Sequence, residues 1–247
     1  MPLFCVNCTK HFIGRNHMNC QCFFASGCVR YEVGETLIEK NYTHNGVVVL
    51  KTGFSLPKVR TTGGCIDYQR INSYYANQAA ILNNTAEMEL YPAAVEDHEL
   101  ALRDDRPFNP HEFYTSFTKS LSSDKLLSLY IDTSLYQGGA HPNTERSSQT
   151  WAVRTGEIVK PHFLFEQNSR CKDIIQRQIQ TSAEEMAEEG ILLPDYEEFL
   201  DQNLDFNNYF LTCECLVIYY PLYTIALRKI QVNMTQLQQF SGQAAHV

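Results

Sequence analysis

Two adjacent glycines between two strand-like runs constrain the fold of this chain more than any other feature. The run before them alternates apolar and polar residues from Leu127 to Leu135, and a second strand-like run ends at Val153. Adjacent glycines adopt backbone angles closed to other residues, so the chain can reverse direction sharply there. His141 stands at the mouth of this turn, and Pro142 fixes its exit. The pattern indicates either a binding or catalytic loop carried on a rigid sheet or a tight connection whose histidine is merely exposed.

The remaining sequence predicts an α+β fold, with an antiparallel sheet and helices packed on one face. Asn45-Gly46 is a strong two-residue turn signal inside a hairpin over 33–56, which Pro57 is expected to close. Apolar residues at helical spacing predict a long helix over 66–88, kinked or ended near Pro92, and a second helix over 171–189. A strand meander over 112–159 lies between the helices, and a closing hairpin over 207–220 follows the second helix.

These elements divide the chain into three parts. Residues 1–32 are expected to be a cysteine-rich and poorly ordered segment, residues 33–240 the α+β domain, and residues 241–247 a tail. No run approaches the roughly 20 apolar residues that a membrane-spanning helix needs, so we predict no transmembrane segment.

The charge of the chain argues against nucleic acid as a partner. The net charge is −8, whereas a duplex-binding protein needs a cationic surface to displace counterions. The segment from Gln178 to Leu227 contains no Lys or Arg and carries ten of the acidic residues. This block is either a solvated helix face and loop or an acidic surface that steers a cationic protein.

Cysteines crowd the amino-terminal segment. Cys5-x-x-Cys8 is a plausible half of a zinc site, but Cys20 and Cys22 are only one residue apart and make a poor second half. The other interpretations are a poorly ordered tail with reduced thiols or a wrongly placed gene start. The segment lacks the apolar core of a secretory signal, and free thiols favour a reducing, cytoplasmic compartment.

Charged and histidine residues elsewhere form no recognisable catalytic motif. Glu96-Asp97-His98-Glu99 is contiguous on the predicted helix, so its side chains fan around the axis and are interpreted as surface. There is no G-x-S-x-G elbow, no H-E-x-x-H helix and no phosphate-binding glycine loop. No cofactor is predicted.

Several segments of the chain together resemble the RsiV-type envelope domain of Gram-positive bacteria, which also occurs beside polysaccharide deacetylase modules of the PdaC kind. The resemblance covers about Glu35 to Phe240. The segments that carry it are Tyr91-Pro92, the run from Tyr136 to Asn143, the strand and turn from Trp151 to Glu157, the corner Phe163-Leu164-Phe165, and the run from Tyr209 to Ala226.

The resemblance implies a sensor or binding domain outside the cell membrane, which opposes the compartment suggested by the free cysteines. The family's type member binds lysozyme and releases a sigma factor when cleaved. This chain lacks a membrane segment, and the stretch before its domain is short for a sigma-binding region. We therefore do not transfer the sigma-factor role, whereas the acidic block would suit a ligand as basic as lysozyme.

Three functions remain open from the sequence. The first is a non-enzymatic domain that binds a basic protein such as lysozyme, or a cell-wall glycan, through residues near the glycine turn and the late tyrosines. Its candidate residues are Tyr136, Gly138, Gly139, His141, Asn143, Tyr220 and Tyr223. The second is a hydrolase or deacetylase-accessory domain in which His141 acts as general base with Asp132, Glu145 or Glu157. The third is a structural accessory domain whose turn only shapes the fold.

Overall fold

The computed structural model describes residues 3–6, 30–63, 68–160, 170–213 and 215–221, in two sheets and four helices. The elements in chain order are β1 (Leu3–Val6), β2 (Arg30–His44), β3 (Val47–Gly63), α1 (Tyr68–Thr85), a π-helical segment (Ala86–Leu90), α2 (Tyr91–Arg103), β4 (His111–Ser122), β5 (Leu126–Tyr136), β6 (Asn143–Ala152), β7 (Glu157–Ile158), α3 (Arg170–Glu188), α4 (Tyr196–Gln202), β8 (Tyr209–Leu211) and β9 (Leu216–Tyr219).

The first hairpin forms where the sequence predicts it. Asn45 and Gly46 have φ angles of 52° and 81°, the left-handed pair that a two-residue hairpin turn requires. Pro57 does not close the unit, because it pairs with Glu35 inside β3, which continues to Gly63. The neighbouring strand β4 pairs only with Leu50–Phe54. Pro57 therefore lies where β3 has a free side and needs no N–H donor.

The large sheet has the order β2-β3-β4-β5-β6-β7 and is antiparallel except between β3 and β4. These two strands are parallel because α1, the π-helical segment and α2 carry the chain back across one face of the sheet. Pro92 lies just after the π-helical segment that separates α1 from α2, close to the predicted kink or end of the first helix. It occupies the first turn of α2, where the missing N–H would have no helical partner anyway.

Strand β5 separates two apolar layers. Leu127, Leu129 and Ile131 pack against α1, together with Trp151 of β6. Trp151 Nε1 donates to the hydroxyl of Tyr75 over 2.9 Å, so this polar pair is satisfied inside the core. The alternate residue Leu126 packs on the opposite side, against the layer that contains α3 and α4.

That second layer is built on a three-stranded sheet of order β1-β9-β8. The closing hairpin therefore forms as predicted, but in a sheet of its own, and β1 comes from the segment expected to be poorly ordered. The backbone N–H of Leu211 donates to Ser128 Oγ over 2.9 Å and links the two sheets. Helices α1 and α2 cover one face of the large sheet, whereas α3 and α4 share the core of the small one.

The predicted α+β class with a mostly antiparallel sheet is confirmed. Among the described residues, no helix combines the length and the apolar character needed to cross a membrane. The tail over 241–247 lies outside the described residues.

Candidate functional site

The glycine turn is a loop of residues 137–142 that joins β5 to β6. The last cross-strand pair before it is Leu135 with Asn143. Gly138 has a φ of +86°, a left-handed angle that side chains disfavour, whereas Gly139 has no such angle. Gly138 is therefore the glycine that the turn requires. Tyr136 is half-buried at the end of β5, and the loop beyond it is exposed.

A cluster of charged residues on and after helix α2 lies next to this loop. Asp97 Oδ2 would lie 3.9 Å from a β-carbon added at Gly138. Arg106 Nη2 donates to Asp97 Oδ1 over 2.6 Å, and His111 Nε2 lies 3.4 Å from Asp97 Oδ2. The hydrogen bond from Arg106 holds the pKa of the Asp97 carboxyl below its usual range, with a smaller contribution from His111. Asp97 thus stays ionised beside the turn.

The interpretation of residues 96–99 as surface is wrong for His98. Its ring is only 5% exposed and lies edge-on to Phe108, with ring centroids 4.9 Å apart. The face of α2 that carries His98 turns toward the segment before β4, and that segment is not helical. The helical periodicity of the sequence does not indicate this contact, because Phe108 lies beyond the end of α2.

His141 does not acquire an orienting carboxylate from Asp132 or Glu157. Its ring is exposed, and Nδ1 lies 3.3 Å from the carbonyl oxygen of Pro142. Asp132 accepts two hydrogen bonds of 2.7 Å from Arg146. Glu157 lies 3.6 Å from Arg70, on another part of the sheet. Asp132 and Glu157 thus form ion pairs with arginine side chains.

The Asp132–Arg146 pair was missed in the sequence, although a signal was available. Counting outward from the glycine turn places these residues opposite each other on β5 and β6, and opposite charges at such positions attract. The guanidinium of Arg146 also stacks over the ring of Tyr130 at 3.8 Å, and its side chain is only 3% exposed. Arg146 is held rigidly on both sides.

A cleft of about 390 Å³ opens directly after the glycine turn. Its lining residues are Asn143, Thr144, Glu145, Arg146, Asn208, Tyr219 and Pro221. Ser148 holds the hydroxyl of Tyr219 at 2.9 Å, and burial raises the pKa of that hydroxyl to about 12. The phenol therefore stays neutral at physiological pH.

The structure brings together only part of the predicted set of site residues. Tyr136, Gly138, Gly139 and His141 belong to the loop and its entry, and Asn143 lines the cleft. Tyr220 is fully buried, with its hydroxyl donating to the carbonyl of Leu200 over 2.9 Å.

Tyr220 is a core residue, and its neighbour Tyr219 lines the cleft instead. The alternation of residues at the end of β9 does not indicate which of the two tyrosines faces the cleft. Both side chains are buried, each in a different apolar cluster. Tyr223 lies outside the described residues.

The predicted metal site falls largely outside the described residues. This is so for Cys8, Cys20 and Cys22, whereas Cys5 belongs to β1. Within the described parts of the chain, no group of three or more His, Cys, Asp or Glu side chains is arranged to hold a metal ion.

Comparisons with known proteins point to the same region of the chain. Residues 66–144 match a family model described as Deacetylase PdaC. The matched range contains α1, α2, β4, β5 and the glycine turn, and so includes Asp97 and His111. No curated protein matches the chain significantly.

The chain is also similar to solved structures of the DUF3298 family. A member from Bacteroides fragilis matches with a TM-score of 0.50 and 13% identity, over 81% of this chain and 87% of that one. A family protein from Pseudomonas aeruginosa matches with a TM-score of 0.32 and 14% identity, over 71% and 62% of the two chains. The first match shows a shared fold. The resemblance is confirmed in part, as a likeness to the PdaC family model over residues 66–144. Its RsiV-type and Gram-positive parts stay predictions.

Proposed function

We propose that this chain is a non-enzymatic binding or sensor domain of the cell envelope, and that its ligand is a basic protein such as lysozyme. The observation that carries the proposal is the cleft beside the glycine turn, whose surroundings are acidic. Arg146 is neutralised by Asp132, which leaves Glu145 in the lining and Asp205 close enough to raise the pKa of Tyr219 by its charge. A cationic group entering the cleft is therefore favoured.

The acidic block adds a second, longer-range attraction. Its residues on and after α3 and on α4 are exposed and form no ion pair with a described Lys or Arg. They include Glu184, Glu185, Glu188, Glu189, Glu197 and Glu198. A surface of one sign accelerates the approach of an oppositely charged protein. We assign the block to steering and the cleft to binding.

The envelope location is supported by one feature besides the resemblance. Cys215 is buried and disulfide-bonded, and disulfides persist in oxidising compartments rather than in the cytosol. This observation favours the exterior location over the cytoplasmic one that free cysteines suggested. Partial reduction of the native chain, followed by mass spectrometry of the peptide that contains Cys215, tests whether Cys215 forms this disulfide.

A cell-wall glycan is the second candidate ligand. The side-chain amides of Asn143 and Asn208 and the hydroxyl of Thr144 line the cleft and can bind sugar hydroxyl groups. Tyr219 offers little ring surface for stacking, because it is only 3% exposed. The described geometry therefore supports a protein ligand better than a sugar.

Calorimetric titration of the full chain with a lysozyme, at low and at moderate salt, tests the proposal. We expect binding that weakens as salt rises, since exposed charges are screened. Absence of binding at both salt concentrations would remove the basic-protein assignment. A parallel titration with soluble peptidoglycan fragments tests the second candidate, and binding of the fragments alone would replace the first with it.

A further inference from the structure

In the part of the chain that the structure describes, the outer edge of β6 is open over most of its length. Within the described residues, β7 pairs only with Trp151 and Ala152, and no strand covers the part of β6 that precedes them. Unpaired N–H and C=O groups along such an edge are a template for another strand.

Hydrogen bonds at the far end of β6 show which of its residues direct their backbone groups away from β5. Val159 N–H donates to the carbonyl of Thr150 over 2.7 Å, and Gly156 N–H donates to that of Ala152 over 2.8 Å. Both carbonyls therefore point away from β5. Antiparallel pairing alternates with a period of two, and β5 and β6 keep one register without a bulge. By the same alternation, Ser148, Arg146 and Thr144 direct their backbone groups outward.

These outward groups find no backbone partner among the residues that the structure describes. No described residue donates to or accepts from the backbone N–H and C=O groups of Thr144, Arg146 or Ser148 on that side. Two residues of this edge, Thr144 and Arg146, line the cleft together with Asn208, Tyr219 and Pro221. The edge therefore borders a cleft, which distinguishes it from an ordinary exposed strand.

The side chains around this edge restrict what can occupy it. Asp132 accepts from Nε and Nη2 of Arg146, which fixes the guanidinium beside the edge and compensates its charge. Glu145 and Asp205 supply uncompensated negative charge nearby. An extended peptide provides the alternating backbone groups that the edge lacks, and cationic side chains provide the complementary charge.

We infer that the partner binds by adding an extended, cationic peptide segment to β6 as an extra strand along Thr144–Ser148. The inference rests on the proposed function and specifies how the basic protein is held. Backbone hydrogen bonds supply the affinity, and lysine or arginine side chains near Glu145 and Asp205 supply the selectivity.

The test uses a blocked seven-residue peptide of alternating lysine and threonine, with the full chain at low salt. We expect that binding slows amide hydrogen exchange at Thr144, Arg146 and Ser148, detected by nuclear magnetic resonance. The amides of β2, on the opposite edge of the large sheet, are the internal control and should not change. Protection confined to β2, or absent from β6, would overturn the inference.

A matched peptide isolates the backbone contribution. Methylation of alternate peptide nitrogens keeps length and charge but removes the donors that strand addition needs. We expect at least tenfold weaker binding of the methylated peptide, and equal binding would contradict strand addition.

A charge variant tests the proposed cation site. Glu145→Lys reverses an exposed lining charge and should weaken binding of the unmethylated peptide by about tenfold. Glu89→Lys makes the same change of net charge on the exposed π-helical segment away from the cleft and should have little effect. Equal effects of the two variants would show nonspecific attraction and overturn the assigned site.

The lysozyme titration separates this inference from the proposed function. If lysozyme binds while the alternate β6 amides stay unprotected, strand addition is wrong and the binding function stands. If lysozyme fails to bind while the peptide protects these amides, the edge binds peptides and the lysozyme assignment is wrong.

Discussion

At the scale of single residues, one backbone conformation shapes the loop beside the cleft, and one ion pair lies next to it. Gly138 supplies the left-handed backbone angle at which β5 turns toward β6. Asp97 lies against this glycine and is itself held by Arg106 and His111. The loop therefore lies next to α2, an element that the sequence does not place near it.

The two glycines of the loop should respond differently to alanine. Gly138→Ala forces a side chain into a left-handed angle and should cost about 1–2 kcal/mol of the free energy of unfolding. Gly139→Ala is the matched control, since its added β-carbon meets its nearest atom at an ordinary 3.9 Å. Urea unfolding of both variants checks this, and equal losses would show that crowding rather than backbone angle governs the turn.

Replacement of Asp97 should make stability less dependent on acid pH. The hydrogen bond from Arg106 lowers the pKa of Asp97 below its ordinary value of 3.8, so the contribution of Asp97 to stability is present above that value and is lost as pH falls through the lower, folded pKa. Asp97→Asn should cost about 1 kcal/mol at pH 7, discounted because the carboxylate is partly exposed.

The difference in the free energy of unfolding between Asp97→Asn and the unsubstituted chain should shrink as the pH falls below 3.8. Urea unfolding at several pH values measures this difference. Glu89→Gln removes an exposed carboxylate that has no described partner and serves as the control. A loss that persists unchanged at low pH would show that ionisation of Asp97 is not what stabilises the loop.

At the scale of elements, the fold is two sheets held together by a few buried polar contacts. Ser128 is fully buried in β5, accepts from the backbone of Leu211 and shares a 2.8 Å hydrogen bond with Thr150. A serine inside a run of leucines looks like a defect in sequence. In the structure it is the point where the small sheet is attached to the large one.

Ser128→Ala should therefore loosen the attachment of the small sheet. The substitution leaves the N–H of Leu211 buried without an acceptor, which costs about 1–3 kcal/mol. Ser147→Ala, on the exposed side of β6, should be nearly neutral. Thermal unfolding of the two variants measures the difference. A neutral Ser128→Ala would show that the two sheets do not depend on this contact.

Local patterns in the sequence predicted most of the elements, because alternation and helical spacing depend on near neighbours. Asn45-Gly46, the meander around the glycine turn and helices α1 and α3 all follow from such patterns. The parallel β3–β4 pair did not, since it depends on where two helices return the chain. Within the candidate site, Asn143 was predicted from its place after the turn, and it lines the cleft. Asp97 was missed because contacts distant in sequence place it there.

At the scale of the whole molecule, negative charge is concentrated on the layer that contains α3 and α4, next to the sheet whose β9 borders the cleft. This arrangement separates attraction from binding. Long-range attraction depends on many exposed carboxylates, whereas the cleft depends on the rigid Asp132–Arg146 pair and the open strand edge. Salt should affect the first more strongly than the second.

Charge reversal on α3 should slow association with a lysozyme and leave dissociation nearly unchanged. Glu185 and Glu188 are exposed, and replacing both by lysine should lower the association rate several-fold at low salt. The same double change at Glu89 and Glu96, on the opposite layer, is the control. Stopped-flow measurements at two salt concentrations check the result, and a faster dissociation rate would assign α3 to the contact itself.

The most direct test is a hydrogen-exchange footprint of the full chain saturated with a lysozyme. We predict that the backbone amides of three regions exchange more slowly in the complex. These regions are the glycine loop, β6 from Asn143 to Ser148, and Asn208 with Tyr219 in the cleft lining. Protection confined to another surface, or no protection at a lysozyme concentration that saturates binding, would contradict the prediction.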